Sequence, residues 1–163
     1  TCLVGSEMCI RDRNHGNAPI STATIPPLEI LEAAYPIRFT QWALRPDSGG
    51  PGKHRGGLGA VYEMELLEEE ADVFLFGERG RFAPKGVVGG KDALTNRFYY
   101  EQSDGFKKPP MVSKMTGIHI KKGQKLRLET PGGGGYGNPE MRPQASILKD
   151  RELGYITDLK QVF

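Results

Sequence analysis

The organisation of the chain centres on Arg127-Leu-Glu-Thr-Pro-Gly-Gly-Gly-Gly-Tyr-Gly-Asn-Pro139, where an alternating strand pattern runs directly into five glycines. Glycine loses more backbone freedom on folding than any other residue, so four in succession are kept only where side chains would obstruct the structure. We therefore expect positive φ angles in this loop, or the close approach of a ligand or of another chain. The rest of the chain is interpreted as a scaffold that presents it.

The composition predicts one globular domain. The chain has 163 residues, of which 37% are hydrophobic and 26% charged, with a formal net charge of +2. The small charge argues against nucleic acid or an anionic membrane as the main partner. No apolar run is long enough to span a bilayer, so the sequence predicts a soluble protein without a membrane partner. The 22 glycines and 12 prolines indicate many turns and short strands.

The first residues require a separate interpretation. Glu7-Met-Cys-Ile-Arg-Asp12 resembles the conceptual translation of a transposon-end sequencing adapter, GAG ATG TGT ATA AGA GAC. We predict that residues 1–13 are a non-native leader and that the gene is cut at its front. Both cysteines, Cys2 and Cys9, lie in this leader. The remaining segment without cysteine is consistent with a reducing cytoplasm, which is the predicted location.

Alternation of apolar and polar residues predicts a series of short antiparallel strands. In residues 37–44, one face is predicted to carry Ile37, Phe39 and Ala43, and the other Arg38, Thr40 and Trp42. Residues 60–67 continue the pattern, and the apolar run at residues 73–76 predicts a buried strand. Residues 117–130 are predicted to form a hairpin that turns at Lys122-Gly123.

Short helices are predicted near both ends. Residues 28–34 are expected to form two helical turns that end before Pro36, because a residue preceding proline avoids the helical region. Residues 143–151 predict a helix with Gly154 as its C-cap, and a last short helix is predicted to end near Phe163. The predicted fold class is mainly β with a small α-helical C-terminal tail, the terminal part of a larger α+β subunit.

Charged candidates lie in a second glycine-rich loop, residues 45–59, with Arg45, Asp47, Ser48, Lys53, His54 and Arg55. Amides freed by glycines, together with guanidinium groups, hold carboxylates and phosphates. The alternative is a long ordered connection whose glycines serve tight turns, and the residues alone favour it. This loop is not a P-loop, because His54 follows Gly52-Lys53 where Ser or Thr should hold magnesium.

The histidines predict no metal site. His15, His54 and His119 share no metal-ligand spacing, and no HxxH or HExxH pattern occurs. A lone strand histidine such as His119 is more often a surface residue than a ligand.

Three motifs in order resemble the C-terminal part of the hydantoinase B/oxoprolinase family, which includes N-methylhydantoinase B subunits. They are Tyr35-Pro-Ile-Arg38 with residues 44–59, the turn at residues 86–91, and residues 128–139. The resemblance covers nearly everything from Asn14 onward. Residues 14–163 are therefore expected to be the C-terminal portion of a hydantoinase B/oxoprolinase domain.

The resemblance implies an enzyme subunit that works with a hydantoinase A-type ATP-binding subunit or fused domain. In this family ATP-derived phosphate activates the carbonyl of a cyclic amide of the hydantoin or 5-oxoproline type, and water opens the ring. Related subunits carboxylate acetone or acetophenone. ATP and a divalent metal are thus implied for the intact enzyme, whereas this chain alone is expected to bind neither and to be inactive.

Negative charge develops on phosphoryl and carbonyl oxygens in such chemistry, so amides and cationic side chains are its physical complement. The residues expected to bind substrate are Arg45, Asp47, Ser48, Lys53, Arg55, Gly133, Gly134 and Tyr136. Catalytic residues are not identified. An alternative of another class is a non-catalytic module whose glycine loops pack against the partner subunit.

Overall fold

The computed structural model describes residues 27–157. The predicted leader, the loop at residues 14–26 and the predicted last helix lie outside this part. The elements, in chain order, are α1 (Leu28–Ala34), β1 (Ile37–Leu44), β2 (Ala60–Leu66), β3 (Glu70–Phe76), β4 (Arg97–Gln102), β5 (Gly105–Lys107), β6 (Lys114–Lys121), β7 (Lys125–Glu129) and α2 (Gln144–Glu152). The prediction of a mainly β fold with a small helical tail is confirmed. In the described range, neither helix has the length and apolar character that a bilayer crossing requires.

The strands form two sheets in which every pairing is antiparallel. The larger sheet has the order β1-β2-β7-β4-β5, and the smaller one pairs β3 with β6. Strands β2 and β3 follow one another in the chain, as do β6 and β7, yet the members of each pair belong to different sheets. The chain therefore passes between the sheets four times, and at these two short connections it turns a corner.

The predicted hairpin at residues 117–130 is wrong for this reason. The turn between β6 and β7 bonds to the corner between β2 and β3: Lys122 N donates to Glu69 O at 2.9 Å, and Gly123 N donates to Leu66 O at 2.8 Å. Alternation correctly indicated which sides of β6 and β7 are apolar, but those sides face the core from opposite sheets.

The core lies between the two sheets. Its buried members are Leu66, Phe98, Tyr100, Ile118 and Ile120. Ile118 and Ile120 are 1% and 2% exposed, respectively, and lie on the smaller sheet, whereas the other three come from the larger sheet. Burial of these apolar side chains is the main force that holds the sheets together.

Strand β1 contains a bulge that reverses its alternation. The register shifts between Phe39 and Gln41, after which Trp42 lies opposite Tyr62. Trp42 packs edge-on against Tyr62, with ring centroids 4.5 Å apart, and its ring is 5.3 Å from that of Phe39. The prediction that Trp42 and Phe39 lie on opposite faces is wrong, because one extra residue moves every later side chain to the other face.

The apolar run at residues 73–76 predicts a buried strand, but β3 is buried on one face only. Val73 and Leu75 pack against the core, but Phe74 and Phe76 are 71% and 88% exposed. Successive strand residues point to opposite faces, and in the described part of the chain no element covers the outer face of β3.

The polar face of the larger sheet is organised around Glu63 on β2. Its carboxylate accepts hydrogen bonds from Thr40, Lys125 and Arg127, at 2.8, 3.3 and 3.3 Å. Burial acts to raise the pKa of Glu63, but these three donors outweigh it and hold the pKa below its ordinary value. Arg127 also contacts Glu129 at 3.0 Å, so the network extends along β7 toward the glycine-rich loop that follows this strand.

We expect Ile118→Ala to lower the free energy of unfolding by about 2–5 kcal/mol, because it leaves a cavity between the sheets. Urea denaturation of the chain measures this loss. Phe76→Ala removes a larger side chain from the surface and serves as the control, with an expected change within about 0.5 kcal/mol. Similar losses in both variants would contradict this location of the core.

Ionisation of Glu63 should make stability depend on pH in the acid range. Its folded-state pKa lies below its ordinary value of 4.5, so its contribution is complete above that value and is lost as pH falls through the folded pKa. We expect the free energy of unfolding, measured by urea denaturation from about pH 6 to pH 3, to decline less steeply in Glu63→Gln than in the wild type. An equal pH dependence of the free energy of unfolding in the two proteins would contradict the lowered pKa of Glu63.

Candidate functional site

Three glycine-rich loops meet at one end of the larger sheet. They are L1 (residues 45–59), L2 (residues 77–96) and L3 (residues 130–138). Tyr136 of L3 and His54 of L1 exchange main-chain hydrogen bonds of 2.9 Å in both directions. Val87 of L2 donates to Gly135 O at 2.9 Å and accepts from Gly137 N at 3.0 Å. L3 is thus held between the other two loops.

The glycines allow these main chains to touch. A Cβ on Gly56 would lie 1.9 Å from Gly133 O, and a Cβ on Gly135 would lie 2.0 Å from Pro51 O. A Cβ on Gly134 would lie 2.0 Å from Lys85 O. The close approach that we expected is therefore present, but loops of this same chain make it.

A positive φ angle accounts for only one glycine of L3, because Gly137, at 74°, is the one residue of that loop in this conformation. Four amides of L3 already donate to main-chain oxygens of the neighbouring loops. They are Gly133 N to Gly57 O, Gly135 N to Lys91 O, Tyr136 N to His54 O and Gly137 N to Val87 O. An anion needs free amides to bind in such a loop, and these four are not free.

Arg45 and Ser48 fasten the start of L1 to the sheet. The Arg45 guanidinium donates to Thr95 O at 2.8 Å and to Thr130 O at 3.0 Å, and it pairs with Glu129 at 3.2 Å. Burial lowers the pKa of Arg45, although Glu129 acts to raise it. Ser48 is fully buried; it donates to Arg45 O and accepts from Gly59 N. Both side chains are satisfied within the chain.

Arg55 belongs to a buried ion cluster with the helical tail. Asp150 on α2 accepts from Arg55 Nε at 3.2 Å and from Arg142 at 2.6 Å. Arg142 also donates to Lys53 O at 3.1 Å, and the Arg55 guanidinium lies 5.2 Å from the centroid of the Tyr155 ring. Sequence reasoning missed Arg142 and Asp150, because no local pattern connects them with a residue about ninety positions earlier.

Asp47 provides a second attachment for the tail. Its carboxylate accepts hydrogen bonds from the Thr157 amide at 2.8 Å and from the Thr157 hydroxyl. The main chain contributes as well, since Asp47 N donates to Tyr155 O at 3.0 Å. L1 is therefore fixed on one side by L3 and on the other by the segment that follows α2.

Two of the eight predicted site residues expose their side chains. Lys53 is exposed on L1, and Tyr136, at 42%, is exposed on L3. His54 lies beside them, with its ring centroid 6.1 Å from that of Tyr136. The structure brings Lys53 and Tyr136 together on adjoining segments, whereas Arg45, Asp47, Ser48 and Arg55 make contacts within the chain. The substrate-binding role of all eight stays a prediction.

The described residues do not fit a metal site. Among residues 27–157, no group of three or more His, Cys, Asp or Glu side chains is arranged to hold a metal ion. A divalent ion needs several such ligands at short distance, so we derive no chemical step through a metal from these residues.

Two solved structures share this fold. A crystal structure of ATP-dependent caprolactamase from Pseudomonas jessenii matches with a TM-score of 0.70 and 33% identity, over 80% of this chain and 23% of that chain. A nucleotide-free structure of acetone carboxylase matches with a TM-score of 0.72 over 83% of this chain and 22% of that chain. Its 19% identity supports likeness of fold alone.

The sequence profile described as Hydantoinase B/oxoprolinase matches residues 11–139. The chain therefore belongs to the hydantoinase B/oxoprolinase family, and the predicted resemblance is confirmed. The match overlaps the end of the stretch that we interpret as a leader, and that interpretation stays a prediction.

Named relatives span two kinds of enzyme in this family. Caprolactamase subunit beta of Pseudomonas jessenii is 34% identical over 134 residues, which is 80% of this chain and 23% of the relative. The protein 5-oxoprolinase 1 of Arabidopsis thaliana is 36% identical over 110 residues, which is 68% of this chain and 8% of the relative. The chain thus spans about a quarter or less of the length of the relatives that it matches.

We expect Gly135→Ala to destabilise the chain by at least about 3 kcal/mol, because the added Cβ forces L3 away from L1 and breaks the hydrogen bonds between them. Urea denaturation provides the measurement. Gly154→Ala is the control: its φ is 69°, but nothing lies within 4 Å of the added Cβ, so only the backbone penalty of about 1–2 kcal/mol is expected. Equal losses would show that packing between loops is not what requires glycine.

Proposed function

We propose that this chain forms part of the B subunit of an ATP-dependent enzyme that opens cyclic amides of the hydantoin or 5-oxoproline type. The match of the family profile to residues 11–139, which include L1, L2 and L3, carries this proposal. The likeness to caprolactamase supports it further, since that relative is named as an ATP-dependent enzyme with a beta subunit and acts on a cyclic amide.

The loop junction supplies a rigid base for two exposed side chains. Ring opening of an amide places negative charge on the carbonyl oxygen, and a preorganised cation or hydrogen-bond donor lowers the energy of that state. Lys53 provides an ammonium group and Tyr136 a phenolic hydroxyl at the surface of the junction. ATP, bound by the partner subunit, would supply the phosphoryl group that activates the carbonyl.

The other predicted site residues act by positioning in this proposal. Arg45 and Ser48 hold the start of L1, and Gly133 and Gly134 allow L3 to lie against the other loops. Arg55 ties L1 to α2. The partner is a hydantoinase A-type ATP-binding subunit or fused domain, and we assign the complex to the cytoplasm, where ATP is available.

A second candidate function is assembly without a catalytic contribution. The exposed side chains of Phe74 and Phe76 on β3, at 71% and 88%, favour it. Isolated exposed apolar residues are common, but large aromatic side chains exposed together on one strand mark interaction surfaces. In this alternative, β3 contacts another part of the complex and the loop junction has only a structural role.

The test uses the subunit that carries this sequence, purified with its A-type partner. We expect ADP release that depends on hydantoin or 5-oxoproline, and we expect Lys53→Gln to reduce turnover at least about tenfold while the complex remains intact by gel filtration. Lys121→Gln removes an exposed lysine from β6 and is the matched control, with turnover unchanged.

Near-normal turnover of Lys53→Gln in an intact complex would show that L1 does not contribute to the substrate site. Loss of the complex in Phe76→Ser, combined with normal turnover of Lys53→Gln, would favour assembly instead. Activity with acetone and bicarbonate, and none with cyclic amides, would assign the complex to ketone carboxylation.

A further inference from the structure

A cleft of about 330 Å³ lies between L1 and α2, and neither Lys53 nor Tyr136 belongs to its lining. Its volume is within the range of small-molecule sites. One wall is a single face of α2, formed by Ser146, Lys149 and Asp150, because residues three and four positions apart lie on the same side of a helix. Arg55, Arg142 and Tyr155 form much of the rest of the lining.

The charge of this cleft favours an anion. Arg55, Arg142 and Lys149 are cations, and Asp150 is the one carboxylate in the lining, so the formal charge is 3 minus 1, or +2. Asp150 is shared between both guanidinium groups. A single carboxylate therefore leaves one guanidinium charge and the ammonium group of Lys149 without a counterion.

Several hydrogen-bond donors in the lining lack an acceptor. Among the described residues, the exposed ammonium group of Lys149 and the hydroxyls of Ser146 and Tyr155 have no hydrogen-bond partner in the protein. The side chain of Arg142 is 9% exposed, and its Nε is buried without a partner. Buried polar groups are nearly always paired, and an unpaired one calls for an explanation such as a bound ion or water. Donors without acceptors, on a positive surface, are the complement of an oxyanion.

We propose that this cleft binds an anionic group of the phosphate or carboxylate type, with Lys149 and Ser146 as direct contacts. Arg142 and Arg55 form the positively charged floor and keep Asp150 paired, so the carboxylate does not compete for Lys149. Tyr155 forms a further part of the lining.

The experiment titrates the full 163-residue chain with inorganic phosphate and, separately, with acetate, at constant ionic strength. Backbone amide shifts of Ser146, Lys149 and Tyr155 are followed by NMR. We expect saturable binding in the millimolar range and an increase in Kd of about five- to tenfold in Lys149→Gln, the size expected when one charged hydrogen bond is lost. Ser146→Ala should raise Kd by a smaller factor.

Lys121→Gln is the control for the loss of one positive charge, because Lys121 is likewise exposed but lies on β6. Circular dichroism checks that both lysine variants are folded. Tighter binding of phosphate identifies a phosphoryl ligand, and tighter binding of acetate identifies a carboxylate; either supports the site. Absence of saturation with both anions, or equal weakening in Lys149→Gln and Lys121→Gln, would overturn it.

Discussion

Main-chain atoms of three loops lie in direct contact, and this contact constrains the rest of the molecule. Gly56, Gly134 and Gly135 each lie where a Cβ would come within about 2 Å of a carbonyl oxygen in another loop. The hydrogen bonds between His54 and Tyr136 then continue the pairing beyond the end of the larger sheet. Because the loops are tied to each other, the strands that enter and leave them have little freedom in register.

Buried charges secure this junction to its surroundings. Arg45 pairs with Glu129 at the end of β7, and Arg55 and Arg142 share Asp150 on α2. Buried ion pairs often add little net stability, since desolvation opposes their attraction, but removing one partner is costly. We interpret these pairs as devices that specify geometry. Most charged side chains that the sequence offers as ligand contacts thus form ion pairs or hydrogen bonds within the chain. Exposed hydrogen-bond donors remain at Lys53, at Tyr136 and in the cleft beside α2.

Local sequence patterns predict where helices and strands lie better than they predict which strands pair and which way side chains face. The end of α1 before Tyr35-Pro36 and the strand that begins at residue 60 follow from rules that act over a few residues, and both are present. The alternating pattern places Trp42 on the wrong face, because a single-residue bulge leaves no signature in such a pattern. The turn at Lys122-Gly123 resembles a hairpin, yet its bonds go to Leu66 and Glu69, which are more than fifty positions away.

The sequence by itself determined the family, the mainly β class and the location of the glycine-rich loops, because motif order and strand period are properties of neighbouring residues. Only the tertiary structure decided what those loops touch. Glycine allows close approach of any kind, so its presence does not distinguish a ligand from a neighbouring loop. The ion cluster at Asp150 and the cleft beside Lys149 likewise depend on how α2 docks against L1, which is set by packing between distant segments rather than by any local pattern.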